Sequence, residues 1–208
     1  MKNCERGRSM IEMLGVLAIV GVLSVGGIAG YSKAMKKIRS EKTTSQLHEV
    51  IMTIRNLYIH QSSYEGISVQ TLIDSQLISK EMYTAGTYNS TLKSAVGGDI
   101  FLYVSKGISG RHNAFEIYAT GLEKDTCVML ATLDWGSDPS SGFEALYVGT
   151  LPPESALMED VNLPTDSIPE QGIFTPGMHS HAIPLTIPTA LGACACSAFE
   201  CVIGLKYT

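Results

Sequence analysis

No proline occurs before Pro139, and no side chain between Met13 and Tyr31 carries a charge. The first absence leaves nothing to break a helix across the N-terminal half of the chain. The second leaves nineteen uncharged residues in a row, a length suited to a bilayer. Charged residues make up only 17% of the 208, and the net charge is −5. No stripe of basic and aromatic residues interleaves along the chain, so no nucleic-acid surface is expected. A glycine-rich phosphate loop and a G-x-S-x-G elbow are both missing, and nothing ties serine, histidine and aspartate into a triad. These absences point away from an enzyme and from any cofactor.

What the chain does have is an apolar run with an acid at its mouth, "GRSMIEMLGVLAIVGVLSVGGIAGY", residues 7–31. Leu14, Val16, Leu17, Ile19, Val20, Val22, Leu23, Val25 and Ile28 each favour insertion by about 0.3 to 0.6 kcal/mol, on the order of 4 kcal/mol together. An acid at the centre of a spanning helix costs about 2.5 to 3.5 kcal/mol, and less near the end, where Glu12 sits. Glu12 therefore offsets much of the insertion energy. Either it snorkels to the headgroups or it has a partner.

Three readings of the segment are open. "MKNCERGR" and the run can be the basic and apolar regions of a signal peptide, with Gly27 and Ala29 before a cut at Gly30. The run can be an uncleaved anchor, spanning roughly 28 Å as a helix. Or the chain is cut ahead of the run, after Gly7, and the apolar segment stays. Arg8 is then the N-terminus and Glu12 lies fifth, one helical turn away. The terminal amine of one copy can meet Glu12 of a neighbour staggered along an axis. A buried charge left unpaired costs several kcal/mol, so such a pair sets register.

"GRSMIEML", the apolar run and the amphipathic stretch after it resemble the class III leader and N-terminal helix of type IV pilins and the related pseudopilins. The resemblance implies that a prepilin peptidase cuts after Gly7, that Arg8 is the N-methylated terminus, and that Glu12 is the assembly residue. Arg8 is a departure, since the family usually has Phe, Met or another apolar residue there. The implied partners are other copies of the chain in a helical polymer, the prepilin peptidase, the inner membrane and the pilus assembly machinery.

The helix is predicted to continue to about His60. Leu47, Val50, Ile51, Ile54, Leu57 and Tyr58 fall on one helical face. Gly26 and Gly30 give a G-x-x-x-G spacing that permits close helix packing, with local melting around Gly26 and Gly27 as a second use of the glycines. Lys33, Lys36, Lys37, Arg39 and Lys42 follow the span and would by themselves hold that side in the cytoplasm. Four cysteines on the same side argue for an oxidising compartment, and the leader motif agrees with them.

The remainder reads as an α+β head. "SVQTLIDSQLISKEMY" is predicted to be a helix capped by Ser68, with Val69, Leu72, Ile73 and Leu77 facing inward. "DIFLYVS" and "NAFEIYAT" read as two antiparallel strands, "GFEALYVGT" as a third and "FECVIGLKY" as the last. "EKDTCVMLATLDW" reads as a short helix carrying Cys127 on its buried side, and "PTALGACAC" as a helix with Pro188 near its start. Prolines between 152 and 188 mark a long irregular excursion. Cys127, Cys194, Cys196 and Cys201 allow three pairings. By resemblance to the pilin C-terminal region Cys127 pairs with Cys194, which leaves Cys196 with Cys201. His179, His181, Cys194 and Cys196 fit no standard zinc spacing, and "LDWGSDPSSG" lacks calcium-loop alternation and reads as a turn with Trp135 packed beneath it. No metal site is expected.

The predicted fold is α+β: a long N-terminal helix, its hydrophobic half spanning the membrane or filament core, packed on an antiparallel sheet head as in pilins. Its parts are a leader at 1–7, a membrane and assembly half-helix at 8–31, an amphipathic half-helix at 32–60 and a head at 61–208. The expected function is a structural subunit of a type IV pilus, first a single-pass inner-membrane precursor and then part of an extracellular filament. A pseudopilin and a secreted or anchored binding domain are the alternatives. The length of the head and "GLEKDTC" resemble type IVb pilins, while the short leader is more like type IVa.

Overall fold

The computed structural model of the chain describes residues 10–107, 111–136, 138–150, 172–176, 183–197 and 200–208. It falls into two compact units, Met1–Arg39 and Ser40–Thr208. One helix, α1 (Met10–Tyr58, 49 residues), supplies the described part of the first unit and the first element of the second. With no proline to stop it, helix is the only backbone arrangement that satisfies every N–H and C=O of an apolar run away from water.

Within the second unit the face of α1 that turns inward is Ser40, Thr43, Gln46, Leu47, Val50, Ile51, Thr53 and Ile54. Leu47, Val50, Ile51 and Ile54 are the apolar part of this stripe and are 0–4% exposed. Two of its polar residues are paired: the Ser40 and Thr126 hydroxyls lie 2.7 Å apart, and the Gln46 side-chain oxygen accepts from Ala95 N at 2.8 Å, whereas the buried Thr43 hydroxyl has no hydrogen-bond partner among the described residues. Leu57, expected on the same face, is exposed at its edge, because the stripe has rotated past the core by the last turn.

α2 (Val69–Asp74) begins at Ser68, whose hydroxyl accepts from Thr71 N as an N-cap does. The helix expected through residue 83 stops at Asp74. Gln76 takes a left-handed backbone (φ 59), which no helix can propagate, and Leu77 is thereby turned outward. Ile78 and Met82, the latter in a 3-10 turn at Lys80–Met82, fill the core instead.

Among the described residues six strands form one antiparallel sheet: β1 (Leu92–Lys93), β2 (Asp99–Ser105), β3 (Ala114–Leu122), β4 (Phe143–Gly149), β5 (Ile173–Phe174) and β6 (Cys201–Tyr207). Their order is β1-β2-β3-β6-β4-β5, so the last strand lies in the middle. Between β3 and β4 the chain leaves the sheet through α3 (Lys124–Ala131), and α4 (Ile187–Ala193) leads back into β6. Every residue of β6 is buried. The two-residue strands β1 and β5 were not foreseen, and β5 interrupts the stretch read as irregular.

Period-2 alternation divides the sheet residues between two faces. Phe115, Ile117, Ala119, Ile203, Leu205, Tyr207, Leu146 and Val148 share the main core with α1 and α3. The other face carries Tyr118, Ala145, Tyr147 and Val202, with Phe101, Tyr103 and Ile173 beside them. Gly204 pairs with Tyr118 on one side and Tyr147 on the other, and those rings meet edge-on at 5.8 Å. A Cβ at Gly204 would clash with Cε1 of the Tyr118 ring and lie 2.6 Å from its Cδ1 and 3.0 Å from Tyr147 Cβ, so the close aromatic pair requires glycine there.

Candidate functional site

The first unit is defined by exposure. From Met10 to Tyr31 every large apolar side chain lies open, with Leu14 at 65%, Leu23 at 70% and Ile28 at 70% exposure. An 18-residue window here has a mean hydropathy of 2.2 and none of it is buried. A helix apolar all round needs lipid or other protein to cover it. Glu12 stands in the first turn, where the positive end of the helix dipole favours a carboxylate by about 0.3 to 1 kcal/mol. Gly15, Gly21, Gly26, Gly27 and Gly30 have open space where a Cβ would stand, and Gly26 and Gly30 are one turn apart. The backbone stays α-helical through Gly26 and Gly27, so the local melting considered for this pair is not the state seen here. Gly7 and Arg8 lie outside the described residues.

The second unit gathers its cysteines where the C-terminal strand enters the sheet. A disulfide joins Cys127, on α3, to Cys194, the residue that ends α4. A second joins Cys196 to Cys201, the first residue of β6. Together they tie α3, α4 and β6 at one corner of the head. His179 and His181 lie outside the described residues, and the cysteines once weighed with them as ligands are in these disulfides.

The far end of β6 is held by polar contacts. Tyr207 donates to Trp135 O at 2.7 Å, and the Trp135 ring N–H donates to Leu130 O at 2.8 Å. His48 of α1 stacks on Trp135 at 4.7 Å, and the Arg55 guanidinium lies over the Tyr207 ring at 5.9 Å. Burial pushes the Tyr207 phenol well above its ordinary range, Arg55 pulls it partly back, and Asp134 raises it further. Trp135 is packed under its turn, and the acids beside it are turn caps: Asp134 accepts from Gly136 N at 3.0 Å and Asp138 from Ser140 N at 2.8 Å. The Ser140 contacts hold the Asp138 carboxyl below its usual value.

A buried ionic group on the second sheet face escaped the sequence reading. Glu116, fully buried, accepts from Ser105 Oγ at 2.5 Å and from the Tyr118 hydroxyl. Its cross-strand neighbour Lys206 is 3% exposed, with Nζ 3.5 Å from Glu144 Oε2. Charges so placed must be paired. Alternation alone assigns such residues to solvent, and only the sheet order brings them together.

The bundlin family model matches residues 32–150. The major structural subunits of the bundle-forming pilus from Escherichia coli O127:H6 and O111:H- are each 30% identical over 138 residues, 65% of this chain and 68% of the relative. Among solved structures, TcpA, a type IV pilin from Vibrio cholerae El Tor biotype, matches with a TM-score of 0.52 at 17% identity, covering 82% of this chain and 99% of that one. The described residues therefore share the fold of that pilin.

Proposed function

The chain belongs to the bundlin family of type IV pilins, and from that premise we propose that it reaches its filament by the prepilin route. It is a structural subunit of a pilus, not an enzyme, and its working partner is another copy of itself. A contact made head to tail and never closing builds a filament. The apolar half of α1 holds the precursor in the inner membrane with the head on the periplasmic side. A prepilin peptidase cuts after Gly7 and methylates Arg8. The assembly machinery then transfers the helix from lipid to the filament core.

Leader, assembly half-helix, amphipathic half-helix and head occupy 1–7, 8–31, 32–60 and 61–208 in this reading. Glu12 sets the register by meeting the terminal amine of a neighbour, and Gly26 with Gly30 gives neighbouring helices their close approach. The observation that carries the reading is a fully exposed apolar helix with an acid in its first turn, attached to a pilin head. Glu12→Ala tests it. Surface filaments should be lost while subunit in the inner membrane stays at its wild-type level, since the variant inserts at lower cost. Filaments unchanged in number and length would remove Glu12 from assembly.

A further inference from the structure

The two disulfides meet. The Sγ atoms of Cys127, Cys196 and Cys201 all lie within 4.8 Å of one another, and Cys194 is bonded to Cys127. Cys127, Cys194 and Cys201 are fully buried, and Cys196 is half-buried. α3, the end of α4 with the two residues after it, and the start of β6 bring these sulfurs to one place. All three pairings that the sequence allows thus draw on a single cluster.

Four thiolates around a zinc ion stand about 2.3 Å from the metal, hence about 3.8 Å from one another. The unbonded pairs, Cys127 with Cys196 and with Cys201, need to close by no more than about 1 Å to reach that spacing, and Cys196 and Cys201 move apart to it once their bond is open. The fourth, on Cys194, is freed beside them when its bond to Cys127 is open. We propose that, before its disulfides close, the chain binds one thiophilic divalent cation such as zinc through Cys127, Cys194, Cys196 and Cys201. Binding is ligand exchange without electron transfer. Each thiol gives its proton to solvent as its sulfur replaces a water on the ion, so four protons leave per ion bound. The ion and the disulfides are then exclusive states of the same four sulfurs. The ligands come from distant parts of the chain, with Cys127 and Cys194 separated by 67 positions, which is why no standard zinc spacing shows in the sequence.

The test uses the full chain in detergent, reduced with a phosphine without oxygen, stripped with a chelator and titrated with Co2+ alone. One equivalent should produce sulfur-to-cobalt charge-transfer bands and the intense visible bands of a tetrahedral four-thiolate site, and Zn2+ should bleach them. The oxidised chain should give none, and Cys196→Ser with Cys201→Ser should lose the four-thiolate spectrum. If reduction loosens the head, Co2+ should restore its native circular dichroism along with the bands. The proposal is overturned by absence of tetrahedral bands, by the same bands in the double variant, or by equal binding in urea, where the fold gathers nothing.

Discussion

Replacing Cys127 and Cys194 together by alanine should destabilise the head about twice as much as replacing Cys196 and Cys201. The two bridges close loops of very different length, with sequence separations of 67 and 5. In the chain-entropy account a cross-link restricts the unfolded chain by an entropy that rises with the logarithm of the loop. At 25 °C the long bridge is worth about 4.4 kcal/mol and the short one about 2.1 kcal/mol. Cys127, Cys194 and Cys201 are fully buried and Cys196 is half-buried, so the packing lost on truncation is comparable in the two variants. Urea unfolding of the full chain in detergent, followed by the fluorescence of Trp135, measures both. With a slope of about 2 kcal/mol per molar urea, the midpoint should fall by about 2 M for the first variant and about 1 M for the second. Equal shifts, or a larger shift for the short bridge, would refute the loop-entropy reasoning and place the stabilisation in local contacts around Cys201.

The surroundings of β6 and the cap of α2 give three further tests. Gly204→Val should force apart the Tyr118 and Tyr147 rings and cost about 1 to 3 kcal/mol, read as a lower urea midpoint, whereas wild-type stability in this variant would mean that the second face tolerates volume. The Tyr207 phenol has its pKa raised in the folded head, so its stabilisation is complete below pH 10 and is lost as pH rises above 10 toward the folded value. Thermal unfolding scanned from pH 9 upward should show that decline, and Tyr207→Phe should flatten it while losing about 1 kcal/mol at neutral pH with the bond to Trp135 O. Ser68→Ala should cost about 1 kcal/mol through the lost cap of α2, measured in the same urea experiment.

Much of the fold was legible because it is local. A helix without proline, the Ser68 cap, period-2 strands and the short helix carrying Cys127 are all stated by neighbouring residues, and α1, β2, β3, α3, β4, α4 and β6 lie where those signals put them. The illegible parts are non-local. Nothing near residue 201 says that β6 will enter between β3 and β4, and that order decides the surroundings of Gly204, Glu116 and Lys206. β1 and β5 have two residues each, too few for a period to show. At Gln76 a single left-handed residue overrode a helical pattern that continued on paper to Leu77. At the other end, a carboxylate before nineteen uncharged residues is costly in a single chain, and the purpose proposed for it, a contact with a neighbouring copy after processing, rests on that cost and on the resemblance of the leader.

That purpose is tested most directly by the intact mass and N-terminal sequence of the subunit purified from surface filaments. The account predicts a chain that starts at Arg8, carries one added methyl group and retains the whole apolar run. A chain starting at Gly30 would make the run a discarded signal, and an uncut Met1 would make it a plain anchor. Either result would contradict the role assigned to Glu12.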